Sequence, residues 1–155
     1  MAEEQQFAVL QLSALVWPDS LRVPSERFRL FVAADTTQIT SHEISRFAEA
    51  ALSRGMVYFC AWGPGCERFH DIVDEVVVED DLGERKFAAP TKNDVVMTTW
   101  HHDETLEEAL DFFARYANPT DGYAADSSYR LVICVKNPES ASVAARQLKA
   151  ADFLI

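Results

Sequence analysis

Three of the four histidines and one of the three cysteines fall in two short stretches, Trp62–Asp71 (WGPGCERFHD) and Thr98–Glu104 (TTWHHDE). A cysteine beside an imidazole is a nucleophile in waiting, because the ring takes the thiol proton and the thiolate attacks. Cys66 opens a helical pattern, where unpaired N–H groups and the helix dipole favour a thiolate. With His101 or His102 as base, and Asp35, Asp71 or Asp103 orienting it, Cys66 would build a small hydrolase or transferase site. The candidate catalytic set is Cys66, His101 and Asp103. Glu67, Asp71, Asp103 and Glu104 oppose it, since neighbouring negative charge raises a thiol pKa.

The same residues carry metal-ligating atoms. Cys66 and His70 lie four apart on one helix face, and His101, His102 or Asp103 would add a third donor. No second Cys-x-x-Cys or histidine pair accompanies them, so the sequence assigns no metal and leaves Cys66, His70 and His101 as candidates only. Gly63-Pro64-Gly65 is the one glycine-rich turn. Its proline removes an N–H that a phosphate cradle would use, and it matches neither G-x-G-x-x-G nor the P-loop. No cofactor is singled out.

Stepping from strand to helix, the chain positions these residues in a regular way. Arg27–Ala34 reads as a strand ending at Asp35. A helix follows, opened by the Thr40/Glu43 capping-box pattern, with Ile44, Phe47, Ala48, Ala51 and Leu52 on one face and Gly55 as its stop. Met56–Trp62 is a second, continuously apolar strand, as expected when both faces are covered. The helix from Cys66 carries Phe69, Ile72, Val73 and Val76, and the β-branched run Val76-Val77-Val78 leaves its end open. Gly83 to Asn93 reads as a loop. Asp94–Trp100 is a third strand, followed by a second capping box at Thr105/Glu108 and an apolar stripe to Ala117. Asn118 to Ser128 reads as a loop, Arg130–Val135 as a fourth strand, and Asn137-Pro138 as the start of the last helix.

Repeated strand-then-helix units favour right-handed crossovers on a parallel sheet. The expected fold is α/β: one three-layer domain with a mostly parallel sheet of four or five strands, Rossmann-like or flavodoxin-like. Residues 27–155 form this domain. Residues 1–26 form a segment packing on it or extending it, with Phe7–Val16 as either an edge strand or a short helix. Ligands of such sheets bind beyond the carboxyl ends of the strands. The expected binding residues are therefore Asp35, Trp62, Cys66, His70, Trp100, His101 and His102, the two tryptophans giving a pocket aromatic walls. Asp35, Thr98 or Thr99, and Lys136 are similar in position to the acid–hydroxyl–lysine set of bacterial receiver domains. That likeness breaks at Trp62-Gly63, where a phosphorylatable aspartate would stand.

The composition, 48% hydrophobic and 25% charged over 155 residues, suits one soluble domain. A formal net charge of −11 argues against nucleic acid and anionic membrane surfaces as partners. Eight carboxylates between Glu67 and Glu84 are a solvated face or a docking surface for a basic protein. Cys60, Cys66 and Cys134 are too few for a disulfide framework, and the start lacks a signal-like basic segment, which together indicate a cytoplasmic protein. The apolar residues Phe7, Val9, Leu10, Leu12, Leu15 and Val16 raise a homodimer through this segment. The spaced set WGPGCERFHD, TTWHHDE and LEEALDFF (Leu106–Phe113) resembles a group of small bacterial α/β proteins of unknown function, which implies a Rossmann-like fold and no activity. The expectation is a non-catalytic interaction or small-ligand-sensing module using the carboxyl edge of the sheet; the alternative is a Cys/His-dependent or metal-assisted hydrolase or transferase at the same edge.

Overall fold

Apolar runs that can be covered on both faces become parallel strands, and the sheet here is parallel at every pairing. The computed structural model describes residues 5–82 and 93–152. In chain order the elements are β1 (Gln6–Leu12), β2 (Phe28–Ala33), α1 (Ser41–Ser53), β3 (Met56–Trp62), α2 (Cys66–Asp81), β4 (Met97–His101), α3 (Leu106–Arg115), α4 (Asp121–Ala124), β5 (Tyr129–Val135), α5 (Pro138–Leu148) and the two-residue β6 (Ala151–Asp152). Across the sheet they stand in the order β4-β3-β2-β5-β1-β6. From β2 the chain steps outward through β3 to β4, then returns to the other side of β2 as β5. The sheet thus has a switch point between β2 and β5, where the connections leaving the two strands diverge.

Two cores follow from the two-residue period of the strands. On one face Leu30, Val32, Phe59, Ala61, Leu131 and Ile133 pack with Ile44 and Phe47 of α1 and Phe69 and Val73 of α2. On the other, Phe31, Cys60, Val132 and Cys134 meet Leu110 and Phe113 of α3 and Ala144 and Leu148 of α5. The result is the three-layer α/β arrangement expected.

The segment before residue 27 supplies strand β1, hydrogen-bonded to β5 on one side and β6 on the other. Val9 and Leu10 are buried in it, and Leu15, Trp17 and Leu21 cover the α1 end of the first core. Of the apolar residues between 7 and 16, Val16 is the large one left exposed, at 63%.

Local signals hold at most helix ends. Thr105 accepts from the Glu108 N–H while the Glu108 carboxylate accepts from the Thr105 N–H, a full capping box. At α1 half of the box forms: Thr40 Oγ1 accepts from Glu43 N, but the Glu43 carboxylate accepts from the Thr40 hydroxyl instead of the backbone N–H. Asn137 caps α5 through Ser140 N. Gly55 ends α1 at φ +103°, where an added Cβ would meet the Glu26 carbonyl.

The structure settles one helix end that the sequence left open and moves two other boundaries. The valine run stays helical and α2 continues to Asp81, because Val76 and Val77 are buried in the first core and packing overrides β-propensity. β4 begins at Met97 instead of Asp94, whose carboxylate is committed to the Thr120 hydroxyl and Gly122 N–H. The stretch from Asn118 to Ser128 includes the single turn α4. The loop read from Gly83 lies, but for Asn93, outside the described residues. Among the described residues no helix is long and apolar enough to cross a membrane.

Candidate functional site

At the switch point the carboxyl ends of β1, β2, β3 and β5 open into a cleft of about 490 Å³. Its lining mixes apolar and charged groups: Leu15, Ile39 and Trp62 beside Asp35, Glu43 and Lys136. Each is placed by a strand end or a helix start. Asp35 leaves β2 and accepts both the hydroxyl and the N–H of Thr37 on one oxygen, Oδ1, at 2.6 and 3.0 Å. Those bonds, the hydroxyl first, hold its carboxyl below the usual carboxylate range, so Asp35 is a fixed anion at neutral pH. Glu43 is turned toward the cleft by its place in the first turn of α1. Lys136, at φ +55°, follows β5, and its N–H donates to the Leu12 carbonyl, tying the ends of β5 and β1 together.

The Gly63-Pro64-Gly65 turn shapes one wall. Ala34 N donates to Trp62 O and Thr36 N to Pro64 O, so the loops after β2 and β3 run in contact. A Cβ on Gly63, at φ +116°, would stand 2.3 Å from the Ala34 carbonyl oxygen. Arg68 braces the same loop by donating to the carbonyls of Thr36 and Ile39 and to the Ser41 hydroxyl. Thus glycines that read as a poor phosphate cradle serve a close approach of two loops.

The predicted site residues do not assemble around this cleft. Asp35 and Trp62 line it, as does Lys136, the lysine of the receiver-like set. The others lie on α2 (Cys66, His70), on β4 (Trp100, His101) or just after it (His102, Asp103), and β4 stands two strands away from the switch point at the edge of the described sheet. Alternation along β4 then divides them. Trp100 pairs in register with Ala61 and faces α2, where its ring meets His70 at 4.5 Å. His101 pairs with Trp62 and faces α3, its ring 4.7 Å from Phe112. His102 and Asp103 project into solvent.

Each buried or half-buried histidine is held by a hydroxyl and a carboxylate. On the α2 side His70 contacts Asp71 through Nδ1 at 2.9 Å and Thr98 Oγ1 through Nε2 at 2.9 Å, and Thr98 donates to Asp74. On the α3 side His101 contacts Glu104 through Nδ1 at 2.7 Å and Thr99 Oγ1 through Nε2 at 3.0 Å. Thr99 also stands 3.4 Å from Cys60 Sγ, and the Trp62 indole N–H donates to the Glu104 carbonyl. The order of groups in Glu104–His101–Thr99 is that of a relay, but His101 is 5% exposed. The string ties the end of β4 to the turn that leads into α3.

Cys66 lies in the first core at 4% exposure, beside the backbone N–H of His101 and on the flank opposite its imidazole. The pairing of Cys66 with His101 as nucleophile and base is not formed. Burial raises the Cys66 thiol pKa despite backbone N–H donors from His101, Cys66 itself and Glu67, so the helix start does not yield a thiolate. Cys66, His70 and His101 likewise do not converge. Among the described residues no group of three His, Cys, Asp or Glu side chains stands close enough to hold a metal ion.

Sequence reasoning missed Leu15, Gln38, Ile39 and Glu43 as cleft residues, and Arg68 as their brace. Glu43 carried a signal: a first-turn residue of a crossover helix sits at the carboxyl edge whatever its capping role.

Fold and cleft together define a doubly wound parallel α/β protein with a small-molecule-sized opening at its switch point. The chain belongs to the family described as domain of unknown function DUF7684, matched over residues 9–151. No curated protein and no solved structure matches it.

Proposed function

We propose that this is a bacterial, cytoplasmic, non-catalytic module that senses a small ligand in the switch-point cleft. The observation carrying this reading is the cleft lining, which sets the fixed Asp35 carboxylate and Glu43 in the same opening as the Lys136 ammonium, over apolar Leu15, Ile39 and Trp62. Such a lining suits a small polar molecule bearing both a cationic and an anionic group. The catalytic alternative loses support from the separation of the Cys66 thiol and the His101 imidazole by the sheet. Self-association through residues 7–16 rests on Val16, since Val9, Leu10 and Leu15 are used in the chain's own core.

A second reading, docking of a basic protein, is favoured by one feature of α2. Glu67, Asp71 and Glu75 are exposed and four apart, forming an acidic row along the helix.

The test is amide-resolved NMR of the protein against pools of small zwitterionic metabolites. Binding should move the resonances of Asp35, Gln38, Gly63 and Asn137, and Asp35→Asn or Lys136→Gln should weaken it with the fold intact. A turnover activity lost in a folded Cys66→Ala variant would overturn the non-catalytic reading.

A further inference from the structure

At the opposite, amino end of the sheet, one row of side chains crosses four strands. Register places Tyr58 of β3, Arg29 of β2, Arg130 of β5 and Phe7 of β1 side by side on the α3/α5 face. The two arginines are register partners and both are buried, at 7% and 3% exposure. In a chain of net charge −11, two adjacent buried guanidinium groups would be expected to face carboxylates. Among the described residues neither forms an ion pair.

The two differ in what they have left to give. Arg29 is committed: its guanidinium donates to the carbonyls of Ser127 and Ala117 and to Asn118 Oδ1. Arg130 lies over the Phe7 ring at 5.6 Å and donates through one terminal nitrogen to the Ser128 carbonyl. Among the described residues its buried Nε–H has no acceptor, and the Ser127 hydroxyl beside this pair has no partner either. Burial, and secondly the charge of Arg29, push the Arg130 pKa down to about 10. A buried donor without an acceptor costs about 1–3 kcal/mol, more when charged, so such a group points to a missing partner. Open space lies beside the pair. Arg29 and Arg130 line an open hollow of about 380 Å³ with Gln5, Asn118 and Ser128.

We propose that this hollow binds a phosphate group, free or at the end of a small phosphomonoester, with Arg130 as its principal ligand and Arg29 as the fixed second charge. A phosphate dianion matches two adjacent cations, and its tetrahedral oxygens can accept from the guanidinium of Arg130 where it lines the hollow, together with amide and hydroxyl donors of the rim. A single carboxylate would neutralise one cation only. The site is independent of the switch-point cleft, lying at the other end of the strands.

The experiment follows the Arg130 Nε–Hε resonance of the full chain by NMR. Inorganic phosphate and glycerol phosphate are titrated separately, against sodium chloride at matched ionic strength. A saturable shift of that resonance with phosphate, absent with chloride, is the expected result. Tighter binding of glycerol phosphate identifies the monoester as the ligand, and equal or tighter binding of inorganic phosphate identifies the free ion. Arg130→Gln should weaken binding about tenfold or more, the loss of a charge-assisted contact. An Arg130 resonance indifferent to both phosphates in the wild type overturns the proposal without reference to any variant. So does unchanged affinity in a folded Arg130→Gln protein.

Discussion

Thr98 and Thr99, consecutive on β4, reach histidines on opposite faces of the sheet: Thr98 Oγ1 lies 2.9 Å from His70 Nε2 and Thr99 Oγ1 lies 3.0 Å from His101 Nε2. The two bonds look alike and should differ in energetic weight. His101 is buried, so Thr99→Val leaves its Nε2 without partner or water, at about 1–3 kcal/mol of stability. The His70 side chain is 12% exposed and keeps its contact to Asp71, so Thr98→Val should lose about 1 kcal/mol or less. Urea denaturation of both variants measures the difference, and equal losses would show that burial does not set the strength of these strings.

Alkaline pH offers a test of the second core. Cys60 and Cys134 are pushed by burial from 9.0 up to about 12. Above pH 9.0 the unfolded chain loses thiol protons that the folded chain keeps. The folded state then holds more protons, and stability falls as pH rises. The limiting slope is about 1.4 kcal/mol per pH unit for each thiol. Tyr58 and Tyr129, raised from 10.0 to about 12, add to the fall at higher pH, while Arg130, lowered from 12.5 to about 10, opposes it. Between pH 9 and 10 the thiols dominate. Denaturation midpoints in that interval should drop with pH, and a Cys60→Ala/Cys134→Ala variant should show a flatter profile from its own lower starting stability.

The legible parts of the molecule are those that act over a few residues. Thr105 and Glu108, Asn137 and Pro138, and the i, i+3, i+4 face of α1 announce themselves because cap and stripe are local properties of the chain. What sequence could not give is pairing order. The expectation of one shared rim for Cys66, His70 and His101 assumed that successive strand exits stay together. With β4 at the far edge, and with Trp100 and His101 alternating along it, the same strand delivers its two rings to two different layers. The Arg29–Arg130 row was invisible for the same reason, since residues so distant in sequence become neighbours only through the β2–β5 register. The valine run of α2 was open for another reason: β-branched preference left the end of the helix undecided, and burial of Val76 and Val77 decides it as helix.

The two glycines of the β3–α2 turn should respond unequally to alanine. At Gly63 the new methyl would meet the backbone oxygen of Ala34 at 2.3 Å, with φ at +116°, so neither the contact nor the torsion can relax cheaply. A loss of about 3 kcal/mol or more is expected for Gly63→Ala. At Gly65 the nearest atom is the Thr36 side-chain hydroxyl at 2.7 Å, which would yield at the expense of its bonds to the Pro64 and Gly65 carbonyls, and φ is +80°. Gly65→Ala should lose about 2 kcal/mol, the left-handed penalty with part of those bonds. Thermal melts rank the two, and a milder effect at Gly63 would mean that the loops after β2 and β3 do not touch as described.

Cys66 provides the most direct chemical check on the site. Its position at the start of α2 would favour a thiolate if the sulfur faced solvent, yet it is 4% exposed and its pKa is raised, with burial outweighing the backbone donors around it. Iodoacetamide at pH 7 should therefore modify it more slowly than free cysteine, on both accounts: less thiolate, and less access. Mild denaturant should release all three cysteines together, because Cys60 and Cys134 are buried in the same sheet. Mass spectrometry of the alkylated peptides reads each site separately. Faster-than-free labelling confined to Cys66 in the folded protein would mean that its sulfur reaches solvent as a thiolate, and a catalytic role at the start of α2 would then regain its attacking group.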